Sequence, residues 1–432
     1  MTSTLFLDPS YNSSKFRSEF RFPKANGVYK ADMRLLNIGV HKTTAGDTSY
    51  NILTGAQGVI DSLQIYSGSQ LIDQVQHFSQ YVAIKNLLHS NNANQSVHRP
   101  LSKNKLGYVS VGKDAIAVGG VVSLGIQQSN AVPDRFNTIY GSTATAAQLA
   151  TNGSWIDLRE CLGFLKASAY IPMNVFPDLR IIVNYKNADL IDIVRSRAAP
   201  LATIEPLLVC EYEPNVETAA ALMRNYKGVD FQTVEWEQVQ LGAVAVGDDL
   251  TVEQTESYLV KGFNDKYISK VVIVNTATDS STWNVAGNNN AMGNQGSMSQ
   301  LDFGFQARIN GSNMFPKTQV EGKNRRLGMM ADAFGPMNII YGQNICWTTN
   351  VGAITIAALN STVGQVDYTG FKIDDVIKEF KLDVSRTAVG PTAAGAATDN
   401  TLLRQKLNLN MFGLSRKRVV PLSNGSILIQ YV

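Results

Sequence analysis

The sequence predicts an all-β chain made of two similar sandwiches in tandem. Short apolar segments alternate with polar residues, which is the period-two pattern of a strand with one buried face. In the clearest case, the strand Leu179–Tyr185, the residues Leu179, Ile181, Val183 and Tyr185 share one face. Stretches rich in Gly, Asn, Ser and Thr separate such segments, and the two halves of the 432-residue chain resemble each other.

The resemblance between the halves depends on segments that occur in the same order. Gly68–Ile72 resembles Gly311–Phe315, and each follows an alternating segment. Repetition in a fixed order is typical of duplicated structural units, so we expect one β-domain in each half. A pair of predicted strands also matches between the halves: Leu179–Tyr185 resembles Lys406–Phe412, and Leu207–Tyr212 resembles Ile427–Tyr431.

The predicted domains are residues 1–222, which begin with a basic N-terminal arm, and residues 223–432. Each half, of roughly 200 residues, is long enough for one eight-stranded jelly roll. A jelly roll packs two facing sheets around one core and protects most sheet edges. The predicted fold is therefore two tandem eight-stranded jelly rolls with short capping helices and long loops.

The N-terminal arm precedes the first predicted strand. Lys15, Arg17, Arg21 and Lys24 make it basic, and phenylalanines lie between them, so we expect an extended segment that adds a strand to a sheet, which the pattern does not identify. The strands predicted after the arm are Val28–Val40, Val59–Tyr66, Leu71–Ile72, Ala115–Ile126, Leu179–Tyr185, Leu207–Tyr212, Asp230–Leu241, Ser257–Thr276, Leu301–Ile309, Ile339–Thr349, Gly352–Ala358, Lys406–Phe412 and Ser426–Val432.

Four segments have the three-and-four spacing of an amphipathic helix. They are Gln74–Leu88, Ser154–Leu165, Val216–Arg224 and Ile373–Phe380. In the second, Ser154 is a candidate N-cap, and we expect the helix to cover the open end of a sandwich. The long loops are Val132–Asn152, Thr278–Met298 and Ala388–Asn400.

Composition limits the classes of protein to which the chain can belong. Charged residues make up 17% and the formal net charge is +3, whereas about 25% charged residues is usual. A surface covered by copies of the chain or by partners fits this composition, and so does a plain β-rich protein with polar loops. The widely spaced Cys161, Cys210 and Cys346 predict free, buried thiols in a reducing compartment.

The sequence contains no catalytic or metal-binding motif. The histidines His41, His77, His89 and His98 lack metal-ligand spacing. Adjacent Asp374 and Asp375 fit the first turn of a helix better than a carboxylate pair. We therefore expect no enzymatic activity, no cofactor and no metal.

Two basic clusters, Lys323–Arg326 and Arg416–Arg418, have two interpretations. They contact the phosphates of nucleic acid, or they form a solvated rim with arginine pairs that bridge subunits. The low net charge favours the second interpretation, and limits nucleic-acid contact to the periphery. The candidate assembly contacts, including two residues of the arm, are Arg17, Arg21, Arg325, Arg326, Arg416 and Arg418.

Four segments carry a resemblance to a known family. They are FRFPKANGVYKADMRLLNIGV (Phe20–Val40), LTGAQGVIDSLQIYSGSQLID (Leu53–Asp73), PMNVFPDLRIIVNY (Pro172–Tyr185) and GKNRRLGMMADAFG (Gly322–Gly335). With them the chain resembles the double jelly-roll major capsid proteins of the adenovirus and tectivirus lineage. It is most similar to those of polinton-like viruses and virophages.

The resemblance implies a subunit that forms a homotrimer, and a trimer that tiles an icosahedral virion shell as a pseudo-hexagonal capsomer. It implies neighbouring capsomers, penton proteins and minor capsid proteins as partners. It is compatible with an internal membrane that the chain does not span. Localisation would be the virion, assembled inside the host cell.

Two other functions fit the same features. One is a glycan- or receptor-binding module of the adhesin or fibre type, suggested by Trp283 in an Asn-rich loop. The other is a β-sandwich hydrolase whose site is dispersed in the sequence. Fold alone does not decide between them.

Overall fold

The computed structural model describes most predicted strands. The described residues are 3–13, 16–23, 27–38, 55–88, 109–111, 116–118, 121–123, 126–128, 155–186, 206–244, 251–277, 303–315, 328–329, 332–334, 368–389, 406–422 and 426–432. The predicted strands Ile339–Thr349 and Gly352–Ala358 and most of the three predicted long loops lie outside them.

The first half of the chain forms a sandwich of two sheets. Its strands are β1 (Ser3–Leu7), β2 (Tyr11–Ser13), β3 (Arg17–Arg21), β4 (Val28–Lys30), β5 (Arg34–Leu36), β6 (Ile60–Ser67), β7 (Gln70–Val75), β8 (Val109–Val111), β9 (Ile116–Val118), β10 (Val121–Ser123), β11 (Ile126–Gln128), β12 (Trp155–Asp157), β13 (Tyr170–Pro172), β14 (Leu179–Tyr185) and β15 (Leu207–Tyr212). One sheet has the order β12-β5-β15-β4-β13, with β1 also on β15, and the other has the order β2-β3-β14-β6-β7. The pairs β8–β11 and β9–β10 form two separate small sheets.

The second half forms another sandwich, with longer strands. They are β16 (Val229–Leu241), β17 (Thr251–Leu259), β18 (Lys266–Ala277), β19 (Phe303–Ile309), β20 (Ser312–Asn313), β21 (Tyr368–Ile377), β22 (Phe380–Val389), β23 (Leu407–Pro421) and β24 (Ile427–Tyr431). One sheet has the order β16-β23-β18-β21, with β24 also on β23, and the other has the order β17-β22-β19-β20.

The two sandwiches have the same strand order. Eight strands of the first (β1, β3, β5, β6, β7, β12, β14, β15) match eight of the second (β16 to β23). In both, one sheet runs first-eighth-third-sixth and the other runs second-seventh-fourth-fifth. This alternation between two facing sheets is the jelly-roll topology. The predicted fold class, two tandem eight-stranded jelly rolls, is therefore confirmed.

The repeated glycine turns occupy equivalent positions, as predicted. Gly68 joins β6 to β7, and Asn310 with Gly311 joins β19 to β20. Backbone φ is positive at all three residues, at 56°, 52° and 81° respectively. Tight hairpins of this kind need positive φ, which glycine and asparagine adopt most readily.

The second predicted match between the halves was wrong by one strand. Leu179–Tyr185 is β14, whose counterpart by sheet position is β22, not Lys406–Phe412. Leu207–Tyr212 is β15, whose counterpart is β23, not Ile427–Tyr431. The sequence comparison aligned similar apolar letters, whereas hydrogen-bonded neighbours define the true equivalence.

Residues 328–329 and 332–334 are helical, and three further described helices longer than a 3-10 turn carry connections before β16. They are α1 (Phe78–Leu88), α2 (Gly163–Ala167) and α3 (Val216–Asn225). The prediction for α3 is confirmed, and Asn215 caps it by accepting hydrogen bonds from the backbone of Glu217 and Thr218. Helix α1 begins later than predicted, because Gln74 and Val75 belong to β7.

The helix predicted from Ser154 was largely wrong. Trp155–Asp157 forms β12, where Ile156 pairs with Leu35 of β5. A 3-10 turn follows at Leu158–Glu160, and Asp157 caps it by accepting from the backbone N–H of Arg159 at 2.9 Å. Only α2 is helical, because pairing with β5 overrides the helical spacing of the apolar residues.

The helix predicted at Ile373–Phe380 was also wrong. This segment is the end of β21 and the short connection to β22, and these two strands belong to different sheets of the second sandwich. Asp374 has a positive φ of 54°, beside a register shift in the pairing of β18 with β21. The β-branched Ile373 and Val376 favour a strand, and this preference outweighs the chance helical spacing.

Two further predictions near the N-terminus need correction. The predicted strand Val28–Val40 is split into β4 and β5, with the buried Ala31 and Met33 between them. The predicted arm adds strands to the sheets of its own chain: β1 pairs with β15, and β3 pairs with β14. It is therefore part of the first sandwich from residue 3 onward.

Each sandwich contains a hydrophobic core. The second core consists of residues between Val239 and Met411. The first core also includes Phe231, Val419 and Ile427, which belong to strands of the second sandwich. The predicted boundary between residues 222 and 223 falls within α3 and stays a prediction.

Candidate functional site: the joint between the sandwiches

Strands β16 and β23 contribute to both cores. They pair without a register shift from Val229 opposite Val419 to Leu241 opposite Leu407. Alternation therefore puts Phe231 on the same face as Val239 and Leu241. Phe231 is in the first core, whereas Val239 and Leu241 are in the second. One face of a single ribbon thus lines two cores.

Between the two apolar ends of this face lies a group of polar side chains, which we call the polar belt. Thr233 and Ser415 are directly opposite each other on the ribbon, and Glu235 follows on the same face. The members of the polar belt are Asp73, Thr233, Glu235, Lys266, Lys417 and Tyr431.

Asp73 joins the first sandwich to the ribbon. It is 1% exposed. Its carboxylate accepts hydrogen bonds from Thr233 Oγ1 at 2.6 Å, and from the backbone N–H groups of Phe164 at 2.9 Å and Gln74 at 2.9 Å. Burial raises the pKa of Asp73 above its ordinary value, and these donors and the Lys417 charge only partly oppose the rise. Three donors satisfy this buried group, so its bonds hold strand and helix in one geometry.

The pKa of Glu235 is shifted in the opposite direction to that of Asp73. Lys266 Nζ lies 2.7 Å and Lys417 Nζ 3.2 Å from its carboxylate oxygens, and Tyr431 donates a hydrogen bond at 2.8 Å. Burial alone would raise the pKa of Glu235, but the two lysines and Tyr431 more than offset it and lower the pKa. With Asp73, the polar belt contains two acidic and two basic side chains.

The opposite face of the ribbon contacts α1 and the residue before it. His77 stacks on Trp236 with ring centroids 4.1 Å apart, and Tyr81 packs on Phe412 at 5.9 Å. Trp236 is directly opposite Phe412, so both contacts are on one face. Burial lowers the pKa of His77, although the charge of Asp61 opposes the shift.

The close approach of α2 to β16 leaves no room for a side chain at Gly163. A Cβ there would lie 1.6 Å from the carbonyl oxygen of Gln232. Beside it, Phe164 meets Phe231 edge-to-face with centroids 5.6 Å apart. Such aromatic pairs stabilise beyond the area that they bury. The joint is therefore a packed interface held from two sides.

Nothing in the joint resembles a catalytic site. Glu235 pairs with both lysines, and Asp73 accepts from Thr233 and two backbone N–H groups. Among the described residues no three His, Cys, Asp or Glu side chains lie where they could hold a metal ion. His41, His89 and His98 lie outside the described residues.

The candidate assembly arginines are dispersed. Arg17 and Arg21 bind Glu19 at 2.7 and 3.0 Å on the outer face of β3. Arg418 forms two hydrogen bonds with Asp230, at 2.5 and 2.6 Å. The guanidinium of Arg416 lies 5.6 Å from the ring centre of Tyr267. Arg325 and Arg326 lie outside the described residues, so the predicted assembly role stays a prediction.

The two described cysteines agree with the sequence interpretation. Cys161 and Cys210 are free and buried, and burial raises the pKa of each thiol to about 12. Such thiols are unreactive packing groups. Cys346 lies outside the described residues.

Sequence reasoning missed the joint, although one signal was present. In VDFQTVEWEQVQL, Thr233 and Glu235 occupy the positions that alternation assigns to the core. A polar residue on a buried face needs a partner. No sequence rule names Asp73 as that partner, because the two are 160 residues apart.

Solved structures resemble this chain over its full length. PBCV-1 VP54, fitted into a reconstruction of the virophage Sputnik, has a TM-score of 0.56 at 10% identity and covers 100% of this chain and 97% of its own. The mavirus major capsid protein has a TM-score of 0.54 at 11% identity, with coverage of 99% and 90%. The Faustovirus major capsid protein has a TM-score of 0.55 at 8% identity, with coverage of 98% and 90%.

The chain is a double jelly roll. The shared strand order and these likenesses agree on the fold. No protein-family model and no curated protein matches this chain by sequence. None of its helices, within the described ranges, has the length and apolar character needed to cross a bilayer.

Proposed function

We propose that this double jelly roll is the major capsid protein of an icosahedral virus and acts without catalysis. The observation that carries the proposal is the repeated eight-strand order, combined with likeness over nearly the whole chain to the mavirus and Faustovirus major capsid proteins. The paired charges of the joint fit a rigid building block, since they occupy each other and not a substrate.

The proposed unit of assembly is a homotrimer. Three copies of two similar sandwiches give six similar blocks, which is the number needed for a pseudo-hexagonal capsomer. Neighbouring capsomers, penton proteins and minor capsid proteins are the proposed partners, the virion is the proposed location, and nucleic-acid contact would be peripheral. The domains would be residues 1–222 and 223–432.

Electron microscopy of the purified protein tests the proposal. We expect three-fold particles with a hexagonal outline, and arrays of them at high concentration. A strict monomer at every concentration would contradict the proposal.

The candidate arginines allow a finer test of assembly. Arg416→Ala removes an exposed guanidinium that lies over Tyr267, and Arg17→Ala removes a partner of Glu19. If Arg416 is an assembly contact, its substitution shifts particles toward smaller species in analytical ultracentrifugation while the monomer stays folded. An unchanged size distribution for all four described arginines would remove them as assembly contacts.

A further inference from the structure

Strand β24 has no counterpart among the eight matched positions of the jelly roll. Within the described chain it pairs only with β23, from Lys417 opposite Tyr431 to Pro421 opposite Ile427. It therefore extends the ribbon beyond the point where β18 stops pairing, at Ile268 opposite Ser415. The second sandwich has its full jelly-roll order without β24.

The inward face of β24 belongs to the first sandwich. Ile427 is 5% exposed and is part of the first core, and Ile429 packs against that core. Val419, opposite Ile429, is fully buried in the same core. The outward face is different, since Leu428 is 43% exposed. Although β24 lies in the second half of the sequence, its apolar side chains pack into the core of the first sandwich.

A polar contact fixes the same strand to the joint. Tyr431 Oη donates to Glu235 at 2.8 Å, and the ammonium groups of Lys417 and Lys266 lie 4.9 and 5.2 Å from the Tyr431 ring centre. Cations over an aromatic face are attracted to it. One end of β24 is thus held by the polar belt and the other by the first core.

We propose that β24 is a strap that closes the first sandwich, so that this sandwich reaches its native packing only after β24 has docked. In chain order β24 follows every strand of both sandwiches. The first half, although synthesised first, would stay unfinished until the second half is complete. The first sandwich would then close only after the second has formed.

Hydrogen exchange on the full chain tests the strap. Ile427→Ala removes most of the side chain that β24 places in the first core. We expect exchange to rise about tenfold or more in peptides of residues 60–75 and 163–183, which belong to the first sandwich, because local opening sets exchange rates. Leu428→Ala is the matched control on the same strand, and should leave those peptides unchanged.

Two outcomes would contradict the proposal that β24 closes the first sandwich. If Ile427→Ala raises exchange only within residues 407–431, or if Leu428→Ala has the same effect in the first sandwich, β24 is not its closing element. Should Ile427→Ala fail to fold, Ile427→Val replaces it, with a smaller rise expected in the same peptides.

Tyr431→Phe tests the other end of β24, because it removes the hydrogen bond to Glu235 and keeps the ring. It should also speed exchange in residues 60–75.

Discussion

The two sandwiches share a strand order but differ in how their cores are completed. Among the described residues, the second core uses only those between Val239 and Met411. The first takes Phe231, Val419 and Ile427 from the other half. A repeated topology therefore does not make two independent folding units, because the packing of side chains decides which residues a core requires.

Strand length explains this asymmetry. In the first sandwich β4, β5, β12 and β13 have three residues each. In the second, β16 has 13 residues and β23 has 15. Short strands cover little apolar surface, whereas long strands reach beyond their own partner sheet. The ends of β16 and β23 therefore cover apolar surface of the first core that its own short strands leave uncovered.

The largest expected effect comes from removing a shared aromatic residue. Phe231→Ala should lower the free energy of unfolding by about 3–5 kcal/mol, because it leaves a cavity against Phe164. Urea unfolding of the full chain measures the loss. Phe305→Ala, in the second core, is a control of equal size.

Hydrogen exchange then separates the two substitutions. Phe231→Ala should speed exchange in the first sandwich, whereas Phe305→Ala should act first on the second. Equal local effects of both variants on the first sandwich would show that Phe231 has no special place in its core.

A smaller effect is expected from the bond between Thr233 and Asp73. Thr233→Val keeps the shape of the side chain and removes the donor at 2.6 Å. The expected loss is about 1–2 kcal/mol, because Asp73 keeps two other donors. Thr255→Val, at an exposed position of β17, is the control and should change the unfolding midpoint little. Equal losses for both variants would contradict a specific role for the polar belt.

The free energy of unfolding should depend on pH through Glu235, which the second sandwich contributes to the joint. The pKa of Glu235 is lowered in the folded state from the ordinary 4.5. Its ionised form therefore stabilises the fold fully above about pH 4.5, and that stability is lost as the pH falls through the folded pKa. Glu235→Gln should lower stability at pH 7 and reduce its fall below pH 4.5.

Urea midpoints between pH 3 and 7 measure this effect. The difference between the wild type and Glu235→Gln isolates Glu235, because Asp73, whose pKa is shifted the opposite way, is present in both. A difference that does not change with pH would contradict the assignment.

The last measurement reports on closure of the first sandwich through its buried thiols. Cys161 and Cys210 are buried in its core, with the pKa of each thiol raised to about 12. In a Cys346→Ser variant, alkylation of the native protein at pH 8 should be slow, and Phe231→Ala should accelerate it. Rapid labelling of the unsubstituted core would show that the first sandwich is open.

Local patterns in the sequence predicted most of the strands. Leu179–Tyr185 and the turn Asn310-Gly311 were correctly predicted, because alternation and positive φ are local properties. The strand end at Ile373–Phe380 was not, since its spacing also fits a helix and pairing of β21 with β18 decides the outcome. The joint was out of reach because Asp73 and Thr233 meet only after both halves have folded.

The long pairing of β16 with β23 has a mechanical consequence. The two strands are antiparallel and joined along all 13 residues of β16. Because both strands extend from the first core to the second, tension that draws the two sandwiches apart along the ribbon would be shared by two backbones in parallel. A neighbouring subunit that pulls on either sandwich would therefore meet a stiff connection between the two.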